Sequence, residues 1–169
     1  METTATAYWV PKLGNSEKEY EDAYGLNVEQ GHFAVADGAS ESSFAREWAR
    51  LLVEKFVAGP PAGSQDLSEW VKPVQQSWGK ANTSTKELPW YAVEKAKTGA
   101  FATLLGLSID SATGTWRSLA VGDSCAFLVR ENQIVWAFPN VHSSQFHNRP
   151  LLLSSRDRSN KGVWGSVFV

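Results

Sequence analysis

The stretch from Ala100 to Phe138 constrains the fold more than any other part of the chain. It holds apolar runs at Ala100–Ile109, Thr115–Val121, Cys125–Val129 and Gln133–Phe138, with turn residues at Asp110-Ser111-Ala112-Thr113-Gly114, Gly122-Asp123-Ser124 and Glu131-Asn132. Connections this short, rich in Gly, Asn, Asp and Ser, join antiparallel strands, whereas a parallel pair needs a crossover of about a dozen residues or more. The region therefore reads as an antiparallel meander.

The upstream half is organised differently. Ala5–Val10 reads as a first strand, followed by a polar loop over Lys12–Glu19 and an apolar stretch around Ala23–Val28. After a turn at Gln30-Gly31, His32–Ala36 reads as a buried strand ended by Asp37-Gly38. Ala39-Ser40-Glu41-Ser42 then offers helix-start chemistry. Over Ser43–Val57, Phe44, Trp48, Leu51, Leu52 and Phe56 recur at helical steps, with Arg46, Glu47, Arg50 and Glu54 on the other face. Gly59-Pro60-Pro61-Ala62-Gly63-Ser64 breaks this helix. A second is expected over Leu67–Lys80, divided at Pro73 into two short pieces, and a third over Trp90–Lys97 leading into Gly99. Beyond Pro139 the patterning weakens. Strands, then helices, then a meander predict an α+β fold with helices packed on a sheet face, not a doubly wound parallel sheet.

With 169 residues, one domain spanning 1–169 is expected. A 43% apolar share supplies a core, and 20% charged residues argue against global disorder. The net charge of -2, from 16 basic and 18 acidic residues, provides no basic excess for nucleic acid or an anionic membrane, and neither is expected as a partner. The single cysteine, Cys125, excludes a disulfide framework within the chain and a Cys-rich zinc site; in a strand it reads as a small buried apolar residue. METTATAYWVPK lacks the pattern of a signal peptide, and no apolar run approaches the length of a membrane span, so a soluble cytoplasmic protein is expected. The eight tryptophans read as core packing. A stacking platform for single-stranded nucleic acid would interleave them with basic residues, and only Arg46 and Arg50 beside Trp48 come near that.

Acidic residues stand at three predicted element edges: Glu21-Asp22, Asp37-Gly38 and Gly122-Asp123-Ser124. A carboxylate at the end of a buried strand is rigidly held, and a following glycine lets its carbonyl face the same space. Oxygen ligands of this kind suit Mg²⁺ or Mn²⁺.

Four segments, in order, carry a resemblance to the metal-dependent protein phosphatases of the 2C type. They are EDAYGLN (Glu21 to Asn27), HFAVADGAS (His32 to Ser40), GAFATLLGLSI (Gly99 to Ile109) and SLAVGDSCAFLVRENQ (Ser118 to Gln133), covering residues 21 to 133. They resemble the family's Glu-Asp segment, its strand ending in Asp-Gly, its Gly-x-x-(Ala)-Thr strand and its Gly-Asp-Ser hairpin. The resemblance implies a sandwich of antiparallel sheets flanked by helices, of which this chain holds the N-terminal part. It implies that Asp37 bridges two Mn²⁺ or Mg²⁺ ions and that the Gly38 carbonyl helps hold the second. Glu21 and Asp22 would face the waters on these ions, Glu21 also serving as a ligand, and Asp123 would hold a weaker third ion. The implied reaction is in-line hydrolysis of a phosphoserine or phosphothreonine in a protein substrate by an activated water, with no covalent phosphoenzyme.

The sequence also departs from the family. Its phosphate-binding arginine is replaced by Glu17, leaving neighbouring Lys18 as the phosphate-binding candidate, a point charge without a planar fork. Ala39-Ser40-Glu41 stands where eukaryotic members have His-Gly-Gly, and Cys125 where an arginine follows Gly-Asp-Ser, as in a divergent bacterial-type branch. After Asp123 the only acidic residues are Glu131 and Asp157, in neither of the family's later aspartate motifs. The expectation is a domain carrying part of the metal site, whose open sheet edges pair with a second copy or a complementing chain. The alternatives are a catalytically inactive pseudophosphatase acting as a regulatory binding module, and a fragment lacking the later ligands.

His32, His142 and His147 read as solvated or capping residues and not as a zinc site. Arg149, Arg156, Arg158 and Lys161 read as a solvated basic loop.

Overall fold

The computed structural model describes residues 3–11, 13–14, 20–40, 42, 44–82, 97–146 and 148–164. Lys18, Glu17, Glu41, His147 and most of the helix expected over Trp90–Lys97 lie outside the described residues.

The fold is α+β with antiparallel sheets and two α-helices among the described residues. Strands β1 (Ala23–Asn27) and β2 (His32–Ala36) form a hairpin; β2 then pairs with β4 (Leu104–Asp110), and β4 with β5 (Thr115–Val121). The resulting sheet has the order β1-β2-β4-β5 with every neighbour antiparallel. The β4–β5 turn closes on Asp110. Its carbonyl accepts the Gly114 N–H at 2.8 Å, and its carboxylate accepts the N–H of Ala112 at 2.9 Å. The Thr113 hydroxyl and these backbone donors hold the Asp110 carboxyl below the usual aspartate range.

Helix α1 (Ala45–Ala58) packs on the front of this sheet through Trp48, Ala49, Leu52, Val53 and Phe56, all buried. Helix α2 (Leu67–Asn82) packs against α1 with Leu67, Val71, Val74 and Trp78 on its buried stripe. Pro73 does not divide α2 as expected; the helix is continuous through it. The proline and Glu69, whose carbonyl loses its N–H partner, are both exposed, so water replaces the missing bond while the apolar stripe stays whole. The Ala39–Ser42 segment does not cap α1 either. Its N-cap is Phe44, held in the left-handed region (φ 61°) without a side-chain cap bond, its ring 6.4 Å from that of Trp78. Ser42 instead donates its hydroxyl to the Ala39 carbonyl (2.8 Å) and accepts the Phe101 N–H (3.3 Å).

Two expected strands come out differently. Ala5–Val10 is irregular: Tyr8 and Val10 are exposed, and the segment gains no ladder partner among the described strands. Ala100–Ile109 is split at Thr103 into β3 (Phe101–Ala102) and β4, and β3 pairs with β8 (Leu153–Ser154). Strand β8 is tied to both helices, Trp48 Nε1 donating to the Leu153 carbonyl at 2.8 Å and Gln75 Nε2 to the Ser154 carbonyl at 3.1 Å.

The meander also breaks. Gly122 adopts φ +100°, a conformation other residues rarely take, and a Cβ there would sit 2.7 Å from the Thr103 methyl. The chain leaves the sheet at this point, and among the described strands β6 (Ala126–Arg130) pairs only with β7 (Gln133–Phe138). Glu131 and Asn132, both at positive φ, form the tight turn that joins them. This hairpin lies on the back of the sheet, where the Trp136 ring meets Trp116 edge-on at 4.4 Å. The back of β1 and β2 keeps Tyr24, Leu26 and Val35 exposed.

Candidate metal and phosphate site

The β1–β2 register sets Ala23 opposite Ala36, so the next facing pair, just past the ladder, is Asp22 and Asp37. Ala36 is buried toward α1. Side chains alternate along a strand, so Asp22 and Asp37 share the back face with Tyr24 and Val35. There they line one cleft of about 410 Å³, floored by Tyr24, Leu26 and Val35 and walled by Tyr8 and Ser124. Like charges placed opposite each other on strands repel. A divalent cation is the kind of ligand that two facing carboxylates accommodate.

Tyr20 stands beside the pair, its ring 5.2 Å from that of Trp9. Burial, then the charge of Asp22 and a hydrogen bond to it, then the charge of Asp37, push the Tyr20 phenol above the ordinary tyrosine value. The fields of both carboxylates thus converge on one phenol.

The backbone of Asp37 is held on two sides by Thr103. Asp37 N–H donates to Thr103 Oγ1 at 2.9 Å, and Thr103 N–H donates to the Asp37 carbonyl at 2.9 Å. Thr103 Oγ1 lies 2.8 Å from Ser124 Oγ, so the loop after β5 is tied to the end of β2. Gly38 follows in a buried bridge to Ala102; a Cβ there would lie 2.6 Å from the Glu21 carbonyl oxygen, so close backbone approach requires glycine.

Of the residues expected at the site, Asp22 and Asp37 are brought together. Glu21 is half-buried and touches Gly38 through its backbone, but it is not part of the cleft lining. Gly38 is buried outside that lining, and its bridge to Ala102 uses the Asp37 carbonyl and the Ala39 N–H, not its own carbonyl. Asp123 is half-buried in the β5–β6 loop, its carbonyl accepting the Cys125 thiol at 3.3 Å, and is likewise absent from the lining. Among the described residues no group of three His, Cys, Asp or Glu side chains is placed to hold a metal. Asp22 and Asp37 are the two carboxylates of the expected donor set that line the cleft.

Sequence reasoning missed Tyr20, Thr103 and Ser124 as parts of the site, and it missed the cationic wall next door. A second cleft, of about 400 Å³, shares Tyr20, Asp22 and Tyr24 with the first and adds Arg46 and Arg50 of α1. Arg50 is bridged to Glu47 at 2.7 Å and Glu54 at 2.6 Å. A larger cleft, of about 530 Å³, lies at the opposite end of the sheet beside Glu29, Asp110 and Arg117. Its size does not outweigh the facing acid pair, because it brings no two carboxylates into register across a strand pair. His32, on its edge, points Nδ1 at the Val57 carbonyl in the last turn of α1 (3.2 Å), a capping contact.

No helix among the described residues is long and apolar enough to cross a membrane. Comparison with family models, with curated proteins and with solved structures gives no match to this chain.

Proposed function

We propose that this chain is a divalent-metal-dependent phosphomonoester hydrolase related to the 2C-type protein phosphatases, acting on phosphoserine or phosphothreonine in proteins. The observation that carries this reading is the facing pair Asp22 and Asp37, set side by side on the open back of β1 and β2. Asp22 and Asp37 would hold Mn²⁺ or Mg²⁺, which when bound supplies charge neutralisation at the phosphoryl oxygens and lowers the pKa of water at the site. The protein's own contributions are positional. Thr103 fixes the backbone of Asp37, and the Tyr20 phenol stands beside Asp22. The apolar floor of Tyr24, Leu26 and Val35 takes the body of the substrate, and the adjoining cleft continues toward Arg46 and Arg50 of α1.

A second reading is a binding module that has kept the fold and lost the reaction. It is favoured by the donor set, since Glu21 and Asp123 stand outside the cleft. Hydrolysis of a small aryl phosphate with and without Mn²⁺ separates the two. A metal-dependent rate that drops by about 100-fold or more in Asp37→Asn supports hydrolysis. No metal-dependent rate in the wild type, together with retained Mn²⁺ binding by calorimetry, supports the binding module.

A further inference from the structure

The bond between the Thr103 and Ser124 hydroxyls can run either way, and the burial of Thr103 argues for one direction. Thr103 is buried, and its Oγ1 already accepts the N–H of Asp37 at 2.9 Å. Its hydroxyl hydrogen still needs an acceptor, because a buried O–H without one costs free energy. Ser124 Oγ lies within reach at 2.8 Å. On that argument Thr103 donates to Ser124, which leaves the Ser124 hydrogen for another acceptor. Ser124 lines the cleft with Asp22 and Asp37, and it makes no other hydrogen bond among the described residues. The chain of bonds then runs from the Asp37 N–H through Thr103 to Ser124, a residue that lines the cleft. Each bond in such a chain polarises the next and strengthens the terminal donor.

A phosphate brought beside two carboxylates needs donors from the protein, and the lining of this cleft contains no Lys, Arg or His among the described residues. We propose that Ser124 donates its hydroxyl to a phosphoryl oxygen of the substrate, and that Thr103 is the positioning residue aligning Ser124 and Asp37 in one step. The proposal rests on the phosphomonoesterase reading and adds to it a phosphate-contacting residue that no acidic or basic motif of the sequence supplies.

The test is calorimetric titration of the full chain, first with Mn²⁺ and then with inorganic phosphate at saturating Mn²⁺. In Ser124→Ala, Mn²⁺ affinity stays within about twofold of wild type while phosphate binding weakens by about tenfold or more, the loss expected for a hydrogen bond to a charged group. Ser124→Thr keeps the hydroxyl and retains phosphate affinity. Thr103→Val weakens both ligands, because Asp37 and Ser124 lose their common anchor, and Thr103→Ser restores them. Urea denaturation of each variant confirms that a folded protein is being titrated. Wild-type phosphate affinity in Ser124→Ala, or a loss in Ser124→Thr as large as that in Ser124→Ala, overturns the proposal and leaves the phosphatase reading standing. A wild-type protein that binds neither Mn²⁺ nor phosphate removes the phosphatase reading and this proposal with it.

Discussion

Asp22→Asn separates a metal-binding role from a structural one, because the two roles predict opposite changes in stability. Asparagine keeps the shape of Asp22 and an oxygen beside the Tyr20 hydroxyl, and removes the charge facing Asp37. Facing side chains on an antiparallel pair stand roughly 5 Å apart at Cβ, and two unit charges at that distance repel by about 0.8 kcal/mol in water. Screening at 0.1 M salt leaves about 0.5 kcal/mol. Without divalent metal, Asp22→Asn is therefore more stable than wild type by about 0.5 kcal/mol, or roughly 1–2 °C in Tm for 169 residues, and the gain vanishes in 1 M salt. With metal the order inverts. Wild type gains about 2.7 kcal/mol at a metal concentration 100 times its Kd, and the variant gains little.

Urea denaturation across a Mn²⁺ series, at low and at high salt, reads out both effects. The Tyr20 phenol gives an independent check through near-ultraviolet titration. Its pKa is raised in the folded protein, so it stabilises the fold below the ordinary tyrosine pKa, and that contribution is lost as pH rises through the folded value. Asp22→Asn brings this titration down toward the ordinary value, and so does Mn²⁺ in wild type, by neutralising the same carboxylates. A variant less stable than wild type at every metal and salt concentration would refute the reasoning, since Asp22 would then be a structural residue and not half of a repelling pair.

Two further outcomes follow from the packing and the sheet edges. Trp48→Phe removes the buried Nε1–H that satisfies the Leu153 carbonyl and leaves a gap in the core; a loss of about 2–4 kcal/mol is expected, read by urea denaturation. Among the described strands β1 and β5 are the edges of the four-stranded sheet, and Tyr24 and Leu26 of β1 and Val35 of β2 are exposed, so association of two copies is expected in light scattering. A clean monomer at high concentration refutes that expectation.

The elements were legible in the sequence wherever a local pattern carried them. The helical spacing of Trp48, Leu52 and Phe56 gave α1, and Glu131-Asn132 between apolar runs gave the β6–β7 turn. What escaped was tertiary. Pro73 reads as a break unless both it and Glu69 are known to face water. Thr103 reads as the middle of one long strand; the split arises because its N–H and hydroxyl serve Asp37, 66 positions earlier. Arg46 and Arg50 lie on the polar face of α1 as their spacing required, but no helical period shows that they share a cleft with Asp22.

The acid pair was legible only in part. Composition and edge position single out both residues, yet their chemistry depends on the turn between β1 and β2. Once that turn sets Asn27 opposite His32, the register runs on through Ala23 and Ala36 and delivers Asp22 opposite Asp37 on the back face. A slip of one residue would send one carboxylate toward α1, where Trp48, Leu52 and Phe56 leave no room for an ionised group. The buried alanines Ala34 and Ala36 hold the register against that slip, because only small side chains fit between β2 and α1. The apolar front of the hairpin thus fixes the polar geometry at its back, and the two carboxylates face each other as a consequence of core packing.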